Sequence, residues 1–179
     1  MDLIKEPNPA FDKKLFLKSL HKLDKPIRFK INGIGNIYKS KMNGKPNFFV
    51  EMEILTDFPD CEILQLNEVG DPILNEDGNK LTTFINAKDE IIGIPYPLVP
   101  SREPNLYVVS NKTNLFKILN PALISKEMVK PGNQKGINNI SFEEITEALK
   151  GFQFTGKSVL IEKTTYNPYY QLITVNEEV

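Results

Sequence analysis

The chain has 179 residues, 22 Lys+Arg against 23 Asp+Glu, and a net charge of −1. That balance excludes a globally basic duplex-DNA coat but leaves room for a local basic groove. One cysteine and one histidine exclude an internal disulfide framework, a cysteine zinc site and a histidine-rich metal centre, while 40% hydrophobic residues argue for a folded chain.

Taken in chain order, residues 12–23 (DKKLFLKSLHKL) read as a helix. Asp12 serves as N-cap, Leu15, Phe16, Leu20 and Leu23 recur at near-helical spacing, and Pro26 blocks continuation. His21 reads as a partly exposed residue of this helix. Residues 27–39 read as a strand. Ile27, Phe29, Ile31 and Ile37 share one parity, Arg28, Lys30, Asn32, Asn36 and Tyr38 the other, and Gly33 and Gly35 suggest a bend or bulge. Asn43-Gly44 marks a hairpin turn, and residues 47–56 form the return strand. Phe48, Val50, Met52 and Ile54 face one side of it, Phe49, Glu51 and Glu53 the other.

Residues 62–66 supply a short apolar piece, and Asp77-Gly78 a second hairpin turn before a strand over 80–86. The proline-rich stretch 91–109 reads as loop and edge strand. A short helix is expected over 113–120, a polar loop over 130–139, and a helix over 141–149 opened by the capping-box spacing Ser141…Glu144 and closed at Gly151. Residues 152–163 and 169–176 form a final hairpin. No internal repeat is apparent.

Several motifs are weak. Gly151-Phe152-Gln153-Phe154-Thr155-Gly156-Lys157-Ser158 matches the phosphate-loop pattern G-x-x-x-x-G-K-S/T. That loop must follow a strand and open a helix. Here the segment follows a helix and runs into Val159-Leu160-Ile161, so a strand is expected, with a helix cap at Gly151 and a bulge at Gly156. Asp71, Asn75, Asp77 and Asn79 suggest calcium, but Gly78 is misplaced for an EF-hand and no glutamate closes the loop, so a hairpin turn is expected. Nothing in the sequence places Cys61 beside His21, and a buried thiol is expected. The triplets at Asn111 and Asn139 carry no meaning without secretion. No signal peptide or membrane span is expected, and the lone cysteine suits a cytoplasmic protein.

The order of elements carries a resemblance. FKINGIGNIYKS, SNKTNLFKILN with the following helix ending in LKG, and LKGFQFTGKSVLIEK with YYQLITV resemble segments of OB-fold single-stranded nucleic-acid-binding proteins of the small phage and plasmid type. The resemblance implies a mainly β, α+β protein: a five-stranded Greek-key barrel with an N-terminal helix and a helical insert before the last two strands. It implies one domain over 1–179, with 1–24 as extension, 26–176 as barrel and about 88–140 as insert.

Single strands are bound by aromatic platforms and lysines. The candidate residues are Arg28, Lys30 and Tyr38 on the first strand, and Lys39, Lys41 and Lys45 in the first loop. Phe49 and Phe84 lie on outward faces, and Lys163, Tyr166 and Tyr169 surround the last turn. Phe49 either stacks a base or packs under the N-terminal helix; Phe84 either stacks a base or packs under the proline-rich insert; the tyrosines also suit a barrel rim. The expectation is a non-enzymatic single-stranded DNA- or RNA-binding protein with no catalytic residues, metal or cofactor. The rival is a protein-interaction or assembly module on the same barrel, with a protein partner or a second copy of itself, favoured by the near-neutral charge and the apolar insert at 91–109.

Overall fold

The computed structural model describes residues 8–129, 135–163 and 166–175. It is mainly β, with antiparallel sheets and three helices. The elements are α1 (Lys13–Leu23), β1 (Ile27–Ile34), β2 (Tyr38–Lys39), β3 (Pro46–Ile54), β4 (Cys61–Leu64), β5 (Thr82–Ile85), β6 (Ile91–Pro97), β7 (Val99–Pro100), β8 (Leu106–Val109), α2 (Asn114–Ser125), β9 (Ile137–Ser141), α3 (Phe142–Leu149), β10 (Gln153–Lys163) and β11 (Tyr166–Val175). The main sheet has the order β11-β10-β1-β3-β2, with β6 also paired to β3.

The expected strand 27–39 is present in two parts. Both β1 and β2 run along one edge of β3: Phe49 accepts from the Gly35 N–H, and Tyr38 pairs with Asn47. The break at residues 35–37 is the predicted glycine bend. Residues of β3 at even positions turn the other way, where Pro46 accepts from Leu98 and Ile54 donates to Glu90.

That second edge corrects the sequence reading. The strand beside β3 is β6, from the proline-rich stretch, whereas β5 pairs only with β4 in a separate two-stranded sheet. Pro95 and Pro97 do not prevent this, because the N–H groups facing β3 come from even positions such as Leu98. Prolines at odd positions remove no bond of that ladder. Ile92, Ile94, Tyr96 and Leu98 are buried, whereas Ile91 and Val99 of the same stretch are exposed.

The chain divides into two compact units. The first contains Lys30–Met52 and Gly93–Phe154. Its core joins β3 to the helices: Phe48 meets Phe142 edge-on at 5.4 Å and Tyr96 at 6.1 Å. The helix expected over 113–120 runs on through Pro121 to Ser125. Pro121 lacks an N–H, but Ile118, Leu119, Ala122 and Leu123 on both sides of it are buried, and that burial outweighs one missing helix bond. The predicted polar loop contains β9 at its end, paired with β8; residues 130–134 lie outside the described residues. The capping box of α3 is formed as expected. The Lys126 ammonium donates to the Glu147 and Lys150 carbonyls at the end of α3, placing a cation at the negative end of the helix dipole.

The second unit holds the residues before Lys30, Glu53–Ile92 and the residues from Thr155 on. Asp12 caps α1, accepting from the Lys14 and Leu15 N–H groups at 2.9 and 3.3 Å. Phe16 is buried among Phe11, Phe29 and Phe58. Helix α1 is therefore part of this unit's core. Within β10, Gly156 pairs with Thr174 in unbroken register, and the irregularity lies later, between Ile161 and Lys163. The bulge expected at Gly156 is absent. A Cβ there would lie 3.1 Å from Phe29 and 3.2 Å from Leu172, so glycine lets the faces pack closely.

The fold also brings out an octapeptide repeat, where no repeat is expected from the sequence. Residues 66–73 (LNEVGDPI) and 74–81 (LNEDGNKL) agree at Leu, Asn, Glu and Gly. Each copy folds into the same turn. Asn67 Oδ1 accepts from Val69 and Asp71, and Asn75 Oδ1 accepts from Asp77 and Asn79. Gly70 and Gly78 adopt φ of +88° and +80°, the left-handed region that a glycine enters without steric cost. Three residues one repeat apart then close a ring: Gln65 donates to Leu81, Leu81 to Ile73, and Ile73 to Gln65, at 2.8–3.0 Å. A period of eight is too short for a solenoid search, and the divergence of Val69 from Asp77 hides it further.

Candidate nucleic-acid interface

The candidate residues divide between the two units. Lys30, Tyr38, Lys39, Lys41, Lys45 and Phe49 belong to the first; Arg28, Phe84 and Tyr169 belong to the second. Lys163 and Tyr166 pair across the β10–β11 connection, but their side chains lie outside the described residues.

The first-unit residues are brought together by the β2–β3 hairpin. Gly44 takes φ +69° and donates to the Ser40 carbonyl, and Ser40 donates to Lys45. Asn43 Oδ1 accepts the Lys45 N–H at 3.0 Å. The loop is thus held by its own bonds, with Lys39, Lys41 and Lys45 exposed on it and Met42 almost fully exposed at its tip. At its base, Tyr38 and Phe49 stack face to face, with centroids 5.1 Å apart and planes at 11°. Phe49 is 40% exposed. Its ring partner is Tyr38. Lys30 is half-buried on β1 at the outward parity of that strand. Glu51 and Glu53 share the outward parity of β3 with Phe49, so positive charge is concentrated at the hairpin end.

The second-unit residues are separate features. Arg28 lies 3.5 Å from the Thr155 hydroxyl, to which it donates. Phe84 stands opposite Glu62 on β5 and is 63% exposed, so it is not covered by the proline-rich stretch. Tyr169 pairs with Ile161 and is 40% exposed. An open pocket beside the start of α1 is lined by Lys13, Lys14 and Lys80 with Leu64 and Thr82. Crowding and the Lys14 charge lower the Lys13 ammonium below the usual lysine range.

The other motifs resolve into structure. Segment 153–163 is a strand, with Lys157 exposed on it. Cys61 is buried in β4, and desolvation, helped by Glu90 and Glu62, pushes its thiol up to about 12, which removes thiolate reactivity at neutral pH. His21 Nδ1 lies 3.2 Å from the Ser158 carbonyl and its ring 5.2 Å from Tyr170; facing a carbonyl, that nitrogen is the donor. Among the described residues no group of three or more His, Cys, Asp or Glu is placed to hold a metal ion, and no helix is long and apolar enough to cross a membrane. No family model, curated protein or solved structure matches the chain.

Proposed function

We propose that this chain is a non-enzymatic single-stranded nucleic-acid-binding protein on an OB-like framework, with the β2–β3 hairpin as its contact surface. The observation that carries the reading is the stacked pair of half-buried Tyr38 and exposed Phe49 at the base of a loop bearing Lys39, Lys41 and Lys45. An aromatic face accepts any unpaired base, and neighbouring lysines neutralise the phosphates on either side. Because the two rings already hold each other, little side-chain entropy is lost on binding. The framework reading is supported by strand order. Counting β1 and β2 as one bent strand, the sheet runs β11-β10-β1-β3-β6, with α2 and α3 in the connection between β6 and β10. This order supports an OB-like reading, in which helix lies between the third and fourth strands of a five-stranded Greek key.

The test is a fluorescence-anisotropy titration at low salt with a labelled single strand of about 20 nucleotides, longer than the 4–16 one OB-fold covers. Single strand should bind more tightly than the matching duplex, whose bases offer no free faces. Phe49→Ala should cost about 1–3 kcal/mol of binding, while an exposed lysine outside the hairpin, Lys157→Ala, should cost far less. Absence of binding at tens of micromolar protein would overturn the proposal.

A further inference from the structure

The octapeptide repeat builds a surface that the nucleic-acid reading does not use. In the ring closed by Gln65, Ile73 and Leu81, backbone groups satisfy one another, so the turns are held without a core of their own. Their side chains point to solvent: Val69 is 79% exposed and Leu74 57%. The same sixteen residues carry Glu68, Asp71, Glu76 and Asp77 against one cation, Lys80, all exposed. With four carboxylates to one ammonium and the exposed Val69 and Leu74, this knuckle repels a polyanion and suits a cationic surface with apolar stems.

The same unit carries such a surface. On α1, Lys14, Lys18 and Lys22 follow at four-residue spacing, so they line one face, and all three are exposed. Of the two acids that flank the helix, Asp12 binds the Lys14 and Leu15 N–H groups with its carboxylate, and Asp24 closes the other end through its backbone N–H. Nothing between them offsets the lysines. Lysine stems are methylene chains that pack on apolar side chains while the ammonium stays in water.

We propose that two copies of this chain associate, the knuckle of each lying against the lysine face of α1 on the other. The two surfaces belong to one unit and are opposite in charge, so a two-fold axis makes the contact twice. With a net charge of −1, overall repulsion does not oppose the pairing. The inference does not depend on nucleic-acid binding, since Tyr38, Phe49 and the hairpin lysines take no part in it.

Sedimentation velocity over micromolar to millimolar concentrations tests it. The wild-type chain should form a dimer at low salt, and added salt should weaken it. Glu68→Lys with Asp71→Lys should sediment as a monomer, and so should Lys14→Glu with Lys18→Glu. Mixing these two variants should restore a dimer, because each reversed surface then meets its opposite. Val69→Ser with Leu74→Ser should weaken association at least about tenfold, the effect of roughly 1.4 kcal/mol. All these positions are exposed, so unchanged thermal melting checks the fold of each variant. A wild-type chain that stays monomeric at millimolar concentration overturns the proposal, as does a dimer that both charge-reversed variants retain. Phe49→Ala should leave the dimer intact whether or not oligonucleotide binds.

Discussion

Gly156 shows how far the letters of a motif can stand from its chemistry. In sequence it is the glycine before Lys157-Ser158 in a phosphate-loop pattern. In the fold it is a buried strand residue whose missing side chain lets β10 approach Phe29 and Leu172. The segment's expected strand character was legible because Phe154 alternates into the core and Val159-Leu160-Ile161 continues the strand; the reason for the glycine was not, since close approach is a property of other strands. Gly156→Ala sets two effects against each other. Reduced freedom of the unfolded chain stabilises by about 0.4–1 kcal/mol, whereas overpacking a well-filled core costs about 1–3 kcal/mol. Phe29 is fully buried and the third neighbour, 3.3 Å away, is the Ile173 carbonyl, so little can yield. The variant should be less stable by about 1 kcal/mol or more, read as a lower denaturant midpoint at unchanged slope. Phe49 teaches a similar lesson. Its outward parity was visible in sequence, but its partner Tyr38 was not, because the bend at 35–37 decides which residue of the first strand meets it.

Among the elements, α1 was the most legible. Its cap, length and apolar stripe read directly from DKKLFLKSLHKL. Phe16 is 1% exposed and contacts three phenylalanines from outside the helix, which makes α1 a structural wall of its unit. Phe16→Ala should therefore cost about 3–5 kcal/mol, enough to remove much of a stability that is typically about 5–15 kcal/mol. Lys18→Ala on the opposite face should stay within about 0.5 kcal/mol. Thermal melting of both variants separates a core helix from a loosely attached arm: equal melting temperatures would mean that α1 contributes nothing to the fold. Strand β6 was legible in part. The proline-rich stretch reads as loop and edge strand, and only the pairing edge, invisible without a neighbour, shows that Pro95 and Pro97 sit where no N–H is needed. The octapeptide repeat was readable letter by letter, but attention to its acidic residues as a calcium pattern concealed the period.

At the scale of the whole chain, mainly β architecture followed from alternating parity in 27–39, 47–56 and 152–163, since period-two patterning survives any arrangement of strands. Which strand lies beside which was less accessible, since pairing depends on contacts distant in sequence: β6, from within the expected insert, joins the main sheet. The candidate site was partly legible for the same reason. Residues joined by one local hairpin, Tyr38 to Phe49, come together, while Phe84 and Tyr169 belong to other strands. A net charge of −1 adds a constraint. Binding of a polyanion cannot draw on a global field and must depend on the few cations at the contact. If Lys39, Lys41 and Lys45 each neutralise one phosphate of a single strand, the logarithm of the binding constant should fall with the logarithm of salt concentration at a slope of about −2, from roughly 0.7 per phosphate. Replacing Lys39 and Lys41 with alanine should reduce the slope to roughly −0.7 without altering the melting temperature, because both side chains are exposed. Phe49→Ala should weaken binding at every salt concentration and leave the slope unchanged, since stacking releases no counterions. A slope that stays near −2 in the double lysine variant would place the phosphate contacts elsewhere on the chain and would remove the hairpin from its proposed role.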